Sequence, residues 1–414
     1  MRLHPTLAAL RRHKTGVLLI ALQVALTLAI VCNAVFIIAQ RIERMERPSG
    51  IVESGLLHIE QQWLDAPRSD SAGAVEKLDV MQRTDLATLR ALPGVQEVAA
   101  STSFPILGVI WSGQLTRSLT PGGLSVHVAY YYGDEQLRST LGLHLLAGRD
   151  FTAGEILHRT IRGTAAAPLV IVDKPVADKL FPHGDALGKT IYQDGKPAVI
   201  IGIVGRLQTP RVSKWVAGWS YNSVLEPVRL DGSFVSYAVR VKPGQQKAVM
   251  REARKALFAV DPMRWMPRSW GIWPFSRMRA RAYRGDRGMA VLMGAISLIL
   301  LCVTAAGIVG LTSFWVGQRR KQIGVRRALG ATRADILRQF QLENLFIVLI
   351  GVALGVVLAL ALNLWLMSRY ELQRLPQLYL LAGVAVLLLL GQLAVFVPAR
   401  RASTVPPVVA TRSV

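Results

Sequence analysis

Cysteine is nearly absent from this chain of 414 residues: there are two, Cys32 and Cys302. Both sit in long apolar runs, and the stretch from 41 to 286 has none. That stretch therefore folds without disulfides and relies on an ordinary core. The seven histidines are scattered, with no metal-ligand spacing. No Gly-x-Ser-x-Gly elbow occurs. Carboxylates such as Asp134, Glu135 and Asp173 read as surface or turn residues rather than acid–base pairs. The chain thus reads as non-catalytic, with no cofactor and no metal of its own.

Charge is also scarce, at 18% of residues. It is missing altogether from four runs, 16–39, 288–316, 345–367 and 379–397. Each is near the ~20 residues needed to cross a bilayer. A buried helix of a soluble protein would show a polar stripe, and these do not. The first run is too long for the apolar part of a secretory signal, and Gln40-Arg41-Ile42-Glu43-Arg44 offers no small-residue cleavage site. It reads as a retained anchor. The expected fold class is a membrane α-helical protein with four transmembrane helices. A large mixed α+β extracytoplasmic domain, 40–287 with its stalks, lies between helices one and two.

The distribution of basic residues orients these helices. Segment 317–344 carries Arg319, Arg320, Lys321, Arg326, Arg327, Arg333 and Arg338. Arg2, Arg11, Arg12 and Lys14 precede the first helix, and Arg400, Arg401 and Arg412 follow the last. Only Asp335 and Glu343 oppose them, and the short loop 368–378 has just Arg369, Arg374 and Glu371. Cytoplasmic loops carry the Lys/Arg excess. Residues 1–15, 317–344 and 398–414 are therefore assigned to the cytoplasm, and 40–287 and 368–378 to the outside. The net charge of +23 does not imply nucleic acid. Residues 41–286 hold 32 basic against 23 acidic residues, most of the remainder is the topology signal, and no nucleic-acid motif accompanies it.

Within the outer segment, Leu169–Val172 is a short apolar run of strand length, followed by a helical pattern over Pro175–Phe181. Thr190–Tyr192 and Ala198–Gly205 flank turn residues Asp194-Gly195, the signature of a hairpin. Val235–Val241 alternates as a strand does, and Gln245–Phe258 and Thr84–Leu92 read as amphipathic helices. Gly184-Asp185-Ala186-Leu187-Gly188-Lys189-Thr190 imitates a phosphate-binding loop but has three residues, not four, between its glycines. It reads as a turn into the next strand. Trp265, Trp270, Trp273, Phe275 and Tyr283 lie among five arginines, a pattern of an interfacial belt or of a contact surface for a partner or amphipathic cargo.

Segment 318–340 interleaves Ile323, Ala328 and Leu329 with arginines, breaks at Gly330, and resumes with Ile336, Leu337 and Phe340. The pattern alone fits a basic amphipathic element on anionic lipid as well as a docking element for a protein. Arg320-Lys321-Gln322-Ile323-Gly324-Val325-Arg326-Arg327-Ala328-Leu329-Gly330-Ala331 resembles the cytoplasmic motif of MacB-type ABC transporter permeases. Relatives of that family include the cell-division permease FtsX and lipoprotein-releasing permeases. Glu is usual where this chain has Gln322. Thr140–Phe151, Val172–Pro182 with Leu187-Gly188-Lys189, and Pro398–Ala402 with Pro406-Pro407 resemble further family segments, although the closing Thr411-Arg412 departs from the usual Leu-Arg.

The resemblance implies a coupling element, with Ile323, Gly324, Arg326, Arg327, Ala328, Leu329, Gly330 and Ala331 docked on a cytoplasmic ABC ATPase. ATP would be bound by that partner, and the fifteen residues before the first helix imply that it is a separate chain. It further implies a second permease, identical or different, in a bacterial inner membrane. A periplasmic adaptor, an outer-membrane channel and membrane lipid are further expected partners. The expected function is export of peptide or amphipathic drug-like cargo by motion relayed to the outer domain. Mechanical regulation of a periplasmic cell-wall enzyme and lipoprotein release are the alternatives. Helices one and two are expected to continue as stalks, the second as one helix from Ser276 to Val316, ~60 Å at 1.5 Å per residue.

Overall fold

The computed structural model describes residues 14–68, 71, 73–120, 122–160, 163, 166–370 and 374–404. The expectations at the N-terminal arginines, at Glu371 and at the tail from Pro406 to Arg412 lie outside them. The chain forms two compact units: residues up to Glu46 together with those from Gly285 onward, and Arg47–Arg284. Helix α1, Lys14–Met45, belongs to the first.

Arg47–Arg284 is built on two sheets. In chain order its elements are β1 (Leu56–Trp63), α2 (Ala74–Arg90), β2 (Val95–Ala100), β3 (Trp111–Thr116), β4 (Ser125–Gly133), α3 (Leu137–Leu141), β5 (Leu145–Gly148), β6 (Leu157–Thr160), β7 (Leu169–Asp173), α4 (Lys174–Leu180), β8 (Thr190–Gln193), β9 (Lys196–Val204), β10 (Ser223–Asp231), β11 (Phe234–Val241), α5 (Gln246–Val260), β12 (Arg264–Trp265), β13 (Ile272–Pro274) and α6 (Phe275–Ala282).

The first sheet has order β12-β1-β11-β2, with β13 also paired to β1. Its pairings are antiparallel, β1 and β11 running from Leu56 opposite Arg240 to Gln62 opposite Phe234. Helices α2 and α5 contribute Leu78, Leu86, Leu89, Val249, Ala253 and Leu257 to the same core as Leu57, Ile59, Val98, Tyr237 and Val239. The second sheet has order β4-β3-β8-β9-β7-β10-β6, with β5 on β9. A further pairing of β4 with β10 closes six of these strands into a circuit around Val128, Val170, Val172, Ile200 and Val224.

The expected hairpin is present. Asp194 (φ 47°) and Gly195 (φ 83°) form a two-residue turn whose positive φ values match the twist of β8 and β9. The phosphate-loop imitation is a turn: Thr190 opens a strand, not a helix. Helix α2 starts ten residues before the expected Thr84. Asp79, Gln82 and Asp85 occupy its buried face and break the apolar period.

Two expectations are corrected. Asp173 and Asp134 are buried, at 0% and 2% exposure, not surface residues. Asp173 caps α4 by accepting from the Val176 N–H at 3.1 Å and also accepts from the Ser223 N–H at 3.1 Å. Asp134 accepts from the Ala100 N–H at 3.0 Å. Each carboxylate satisfies backbone donors that burial would otherwise strand.

The membrane unit adds α7 (Arg284–Gln318), α8 (Arg320–Ala328), α9 (Arg333–Tyr370) and α10 (Gln377–Ser403). Four helices, α1, α7, α9 and α10, are long and apolar enough to cross a membrane. The expected single helix from Ser276 is interrupted: α6 ends at Ala282 and Tyr283 (φ −98°, ψ 10°) leaves helical geometry before α7 begins. The Tyr283 ring is buried, and its hydroxyl accepts from Gln208 Nε2 at 3.0 Å.

Because lipid offers no hydrophobic drive between helices, close packing and buried hydrogen bonds must hold them. Thr27 and Thr304 share a hydroxyl hydrogen bond of 2.8 Å, Asn33 Nδ2 donates to the Ala359 carbonyl at 3.1 Å, and Asn344 Nδ2 to that of Gly391 at 2.9 Å. A Cβ at Gly351 would come within 2.8 Å of the Ala21 carbonyl oxygen, so α9 approaches α1 at backbone contact. Above these, Arg41 and Arg44 both meet Asp286, Arg44 at 3.5 Å.

Candidate functional site

The basic segment between α7 and α9 is an ordered helical turn structure. Helix α8 ends in the arrangement its sequence calls for. Gly330 adopts φ 99°, its N–H donates to the Arg327 carbonyl at 3.2 Å, and the Ala331 N–H reaches back to the Arg326 carbonyl at 3.1 Å. That pair of bonds is a Schellman motif and satisfies carbonyls left open at the helix end. Thr332 then opens α9. Its Oγ1 accepts from the Asp335 N–H at 3.2 Å, and the Asp335 carboxylate accepts from the Thr332 N–H at 3.0 Å, a reciprocal capping box.

The turn is fixed to the helices on either side. Ile323 is 5% exposed and shares one apolar cluster with Ile336, Phe340, Ala399 and Ala402. Arg319 Nη1 donates to Glu343 Oε2 at 2.8 Å, with both side chains largely buried, and Gln339 Nε2 donates to the other oxygen of Glu343 at 3.0 Å. Arg326 also donates to Gln339.

These contacts sort the eight sequence-derived residues. Arg326, Ala328, Leu329 and Gly330 are exposed, Arg327 and Ala331 half-buried, and Ile323 and Gly324 buried. Leu329 is 83% exposed and Val325, one helical turn before it, 48%. The outward surface is therefore Val325 and Leu329 beside Arg326. Val325 was not among the eight, although its i, i+4 spacing from Leu329 marks it. Ile323 and Gly324 hold the helix in place from beneath.

The aromatic stretch after α5 does not behave as one belt. Phe275 (0% exposed) and Tyr283 (4%) are core residues, whereas Trp270 and Trp273 line a cavity. A second grouping escaped the sequence because its members are far apart in the chain. Asp79, His158 and Asp231 bring ligand-type atoms within 4.8 Å of one another. Arg229 Nη2 lies 2.7 Å from Asp79 Oδ1 and 3.1 Å from His158 Nε2. A guanidinium thus already supplies the positive charge that an ion would bring.

Two family models cover most of the chain. The MacB-like periplasmic core domain matches residues 18–256, and the FtsX-like permease C-terminal domain matches 294–407. The chain belongs to the MacB/FtsX-like family of ABC transporter permeases. Among curated relatives, the macrolide export ATP-binding/permease protein MacB of Chromobacterium violaceum is 27% identical over 271 residues, 64% of this chain and 40% of that protein. The protein of the same name from Neisseria gonorrhoeae is 30% identical over 249 residues, 60% of this chain and 37% of that one. This MacB/FtsX-like chain therefore spans about two fifths of the length of those relatives. The periplasmic region of MacB from Actinobacillus actinomycetemcomitans covers 58% of this chain and 97% of its own length at 17% identity. The TM-score of that match is 0.35.

Proposed function

We propose that this chain is the permease subunit of a MacB-type transporter that exports peptide or amphipathic drug-like cargo. A cytoplasmic ABC ATPase docks on α8, and its ATP-driven closure displaces the helical turn from Arg320 to Ala331. The motion passes through the membrane helices to the periplasmic domain. In this reading the chain works beside a second permease, in a bacterial inner membrane with both termini in the cytoplasm. A periplasmic adaptor and outer-membrane channel complete the route, and this chain itself binds no ATP.

One observation carries the reading. An exposed leucine at 83%, beside exposed Val325 and Arg326, stands on a turn held by its own caps and by the buried Arg319–Glu343 pair. Apolar side chains displayed on a rigid basic element suit a protein groove, where an aliphatic anchor is buried at the centre and charges sit at the rim. The names of the matched relatives, macrolide export ATP-binding/permease proteins, support the same direction.

The test is reconstitution of the full chain in nanodiscs with the ABC ATPase expressed beside it. Leu329→Asp, and separately Arg326→Glu with Arg327→Glu, should remove permease-dependent stimulation of ATP hydrolysis while leaving membrane insertion unchanged. Undiminished stimulation in both variants would refute docking at this element. If stimulation is intact but no cargo leaves the periplasmic side, regulation of a periplasmic enzyme replaces export. Maleimide labelling from outside should reach a Cys placed in 150–260 and not one in 320–335; the opposite pattern would overturn the topology.

A further inference from the structure

A cavity of about 530 Å³ opens in the Arg47–Arg284 unit beside β1, α6 and the loops before β3 and after β9. That volume falls in the usual range of small-molecule sites, ~300–1,000 Å³. Its lining includes His58, Glu60, Trp270, Trp273, Met278 and Arg281. Trp270 and Trp273 are half-buried rather than packed away. Ile106 also faces it, in a left-handed conformation at φ 59°. A β-branched residue sits there only under strain, and such strain gathers at ligand clamps and active sites.

Two polar groups of this cavity, His58 and Glu60, stand apart from the rest. His58 is 2% exposed, its ring edge-on to Phe104 at 4.6 Å between centroids, and its Nε2 has no hydrogen-bond partner among the described residues. The Glu60 carboxyl, half-buried, makes no ion pair among the described residues although Arg211 and Arg281 line the same space. Both arginines are exposed to water, and Arg281 lies instead on the face of Trp273, 5.0 Å from the ring centroid. A partly desolvated carboxylate without an ion-pair partner, in a cavity also lined by two indoles, is a poor solution for an empty protein and a good one for a bound cation.

We propose that this cavity binds an apolar molecule carrying one protonated amine, with its body against Trp270, Trp273 and Met278 and its ammonium on the Glu60 carboxylate. As a cargo site it rests on the export reading, but binding needs neither ATP nor an ATPase, so loss of one leaves the other standing. Burial pushes the Glu60 carboxyl up to about 7, and a bound ammonium would draw it back down. Binding of the amine should therefore weaken as pH falls below about 7.

The test uses three probes that share one apolar body: 4-phenylbutylamine, 4-phenylbutanol and 4-phenylbutyrate. Each is titrated calorimetrically at pH 8 into the full chain in nanodiscs, with empty nanodiscs subtracted. The amine should bind about tenfold more tightly than the alcohol, the gain expected from one partly desolvated charge pair. Glu60→Gln should abolish that preference, Glu60→Asp should keep much of it, and Trp273→Ala should weaken amine and alcohol alike. Equal binding of amine and alcohol, an unchanged preference in Glu60→Gln, or tightest binding by the acid would each overturn the proposal. The last result would assign the cavity to anions through Arg211 and Arg281.

Discussion

Arg264 and Asp85 face each other inside the five-stranded sheet's core, Nη1 to Oδ2 at 3.0 Å and Nη2 to Oδ1 at 3.1 Å, with neither side chain more than 1% exposed. Tyr237 donates its hydroxyl to the same carboxylate at 3.0 Å, and Gln61 completes the shell. Burial pushes Asp85 up, while hydrogen bonds and charge from Arg264 pull it down. A paired buried charge is nearly neutral for stability, but a stranded one is not. Asp85→Asn or Arg264→Met should each lower the unfolding free energy of the full chain by about 3–5 kcal/mol. The double change Asp85→Leu with Arg264→Met should lower it by less than the sum of its parts. Denaturant titration in detergent measures all of them, and single-variant losses under about 1 kcal/mol would show that the pair is not isolated from water.

This pair also explains where the sequence could be read and where it could not. The membrane helices are legible because lipid demands unbroken apolar runs, and the hairpin at Asp194-Gly195 because its turn admits few residue types. Leu169–Asp173 and Phe234–Val241 announce themselves by β-branched residues. Helix α2 was half hidden because Asp79, Gln82 and Asp85 face inward to partners from β6, β10 and β12, which no local pattern could reveal. Strand β10 was hidden by Glu226 and Pro227 in its middle. On the basic turn the caps at Gly330 and Thr332 follow from residue type. The split between inward Ile323 and outward Val325 and Leu329 needed the packing of Ile336 and Phe340.

Gly330 isolates backbone geometry from contact. A Cβ there would meet nothing within 4 Å, so substitution is limited by its φ of 99° alone. Gly330→Ala should strain the turn by about 1–2 kcal/mol and reduce ATPase stimulation only in part. Gly330→Pro cannot adopt that φ and also loses the N–H donated to Arg327, so it should abolish stimulation. Equal behaviour of the two variants would argue that the turn's geometry is not transmitted.

Protonation of two buried carboxyls should stabilise the outer unit as pH falls from 8 to 5, opposed in part by His58, whose ring burial pushes down to about 3. Burial pushes Glu226, 3% exposed, from 4.5 up to about 7, and Asp134 from 3.8 up to about 6. With folded pKa values above the unfolded ones, the native state binds more protons in that window, so stability falls as pH rises through it. For Glu226 the span corresponds to roughly 3 kcal/mol between about pH 4.5 and 7. Glu226→Gln should flatten the dependence of Tm on pH. A wild-type Tm that rises with pH over 5–7 would contradict the assignment.

Arg229 tests whether the Asp79–His158–Asp231 grouping is an ion-pair network or a metal site. It meets Asp79 at 2.7 Å while Arg83 meets the other oxygen of that carboxylate at 2.8 Å. His158 Nδ1 stands 3.3 Å from Asp79 and 3.4 Å from the fully buried Asp231. Because Asp79 comes from α2 and the other members from β6 and β10, the network joins the two halves of the outer unit. Removing Arg229 leaves two carboxylates facing each other with less positive charge between them, so Arg229→Ala should lower Tm by about 2–4 °C for each kcal/mol lost. With the guanidinium gone, the three donor atoms within 4.8 Å can accept a divalent ion. Added zinc should then restore part of the lost Tm in Arg229→Ala and leave the wild type unmoved. Zinc stabilising the wild type equally would mean that the arginine does not fill the cation's place, and the grouping would have to be read as a metal site.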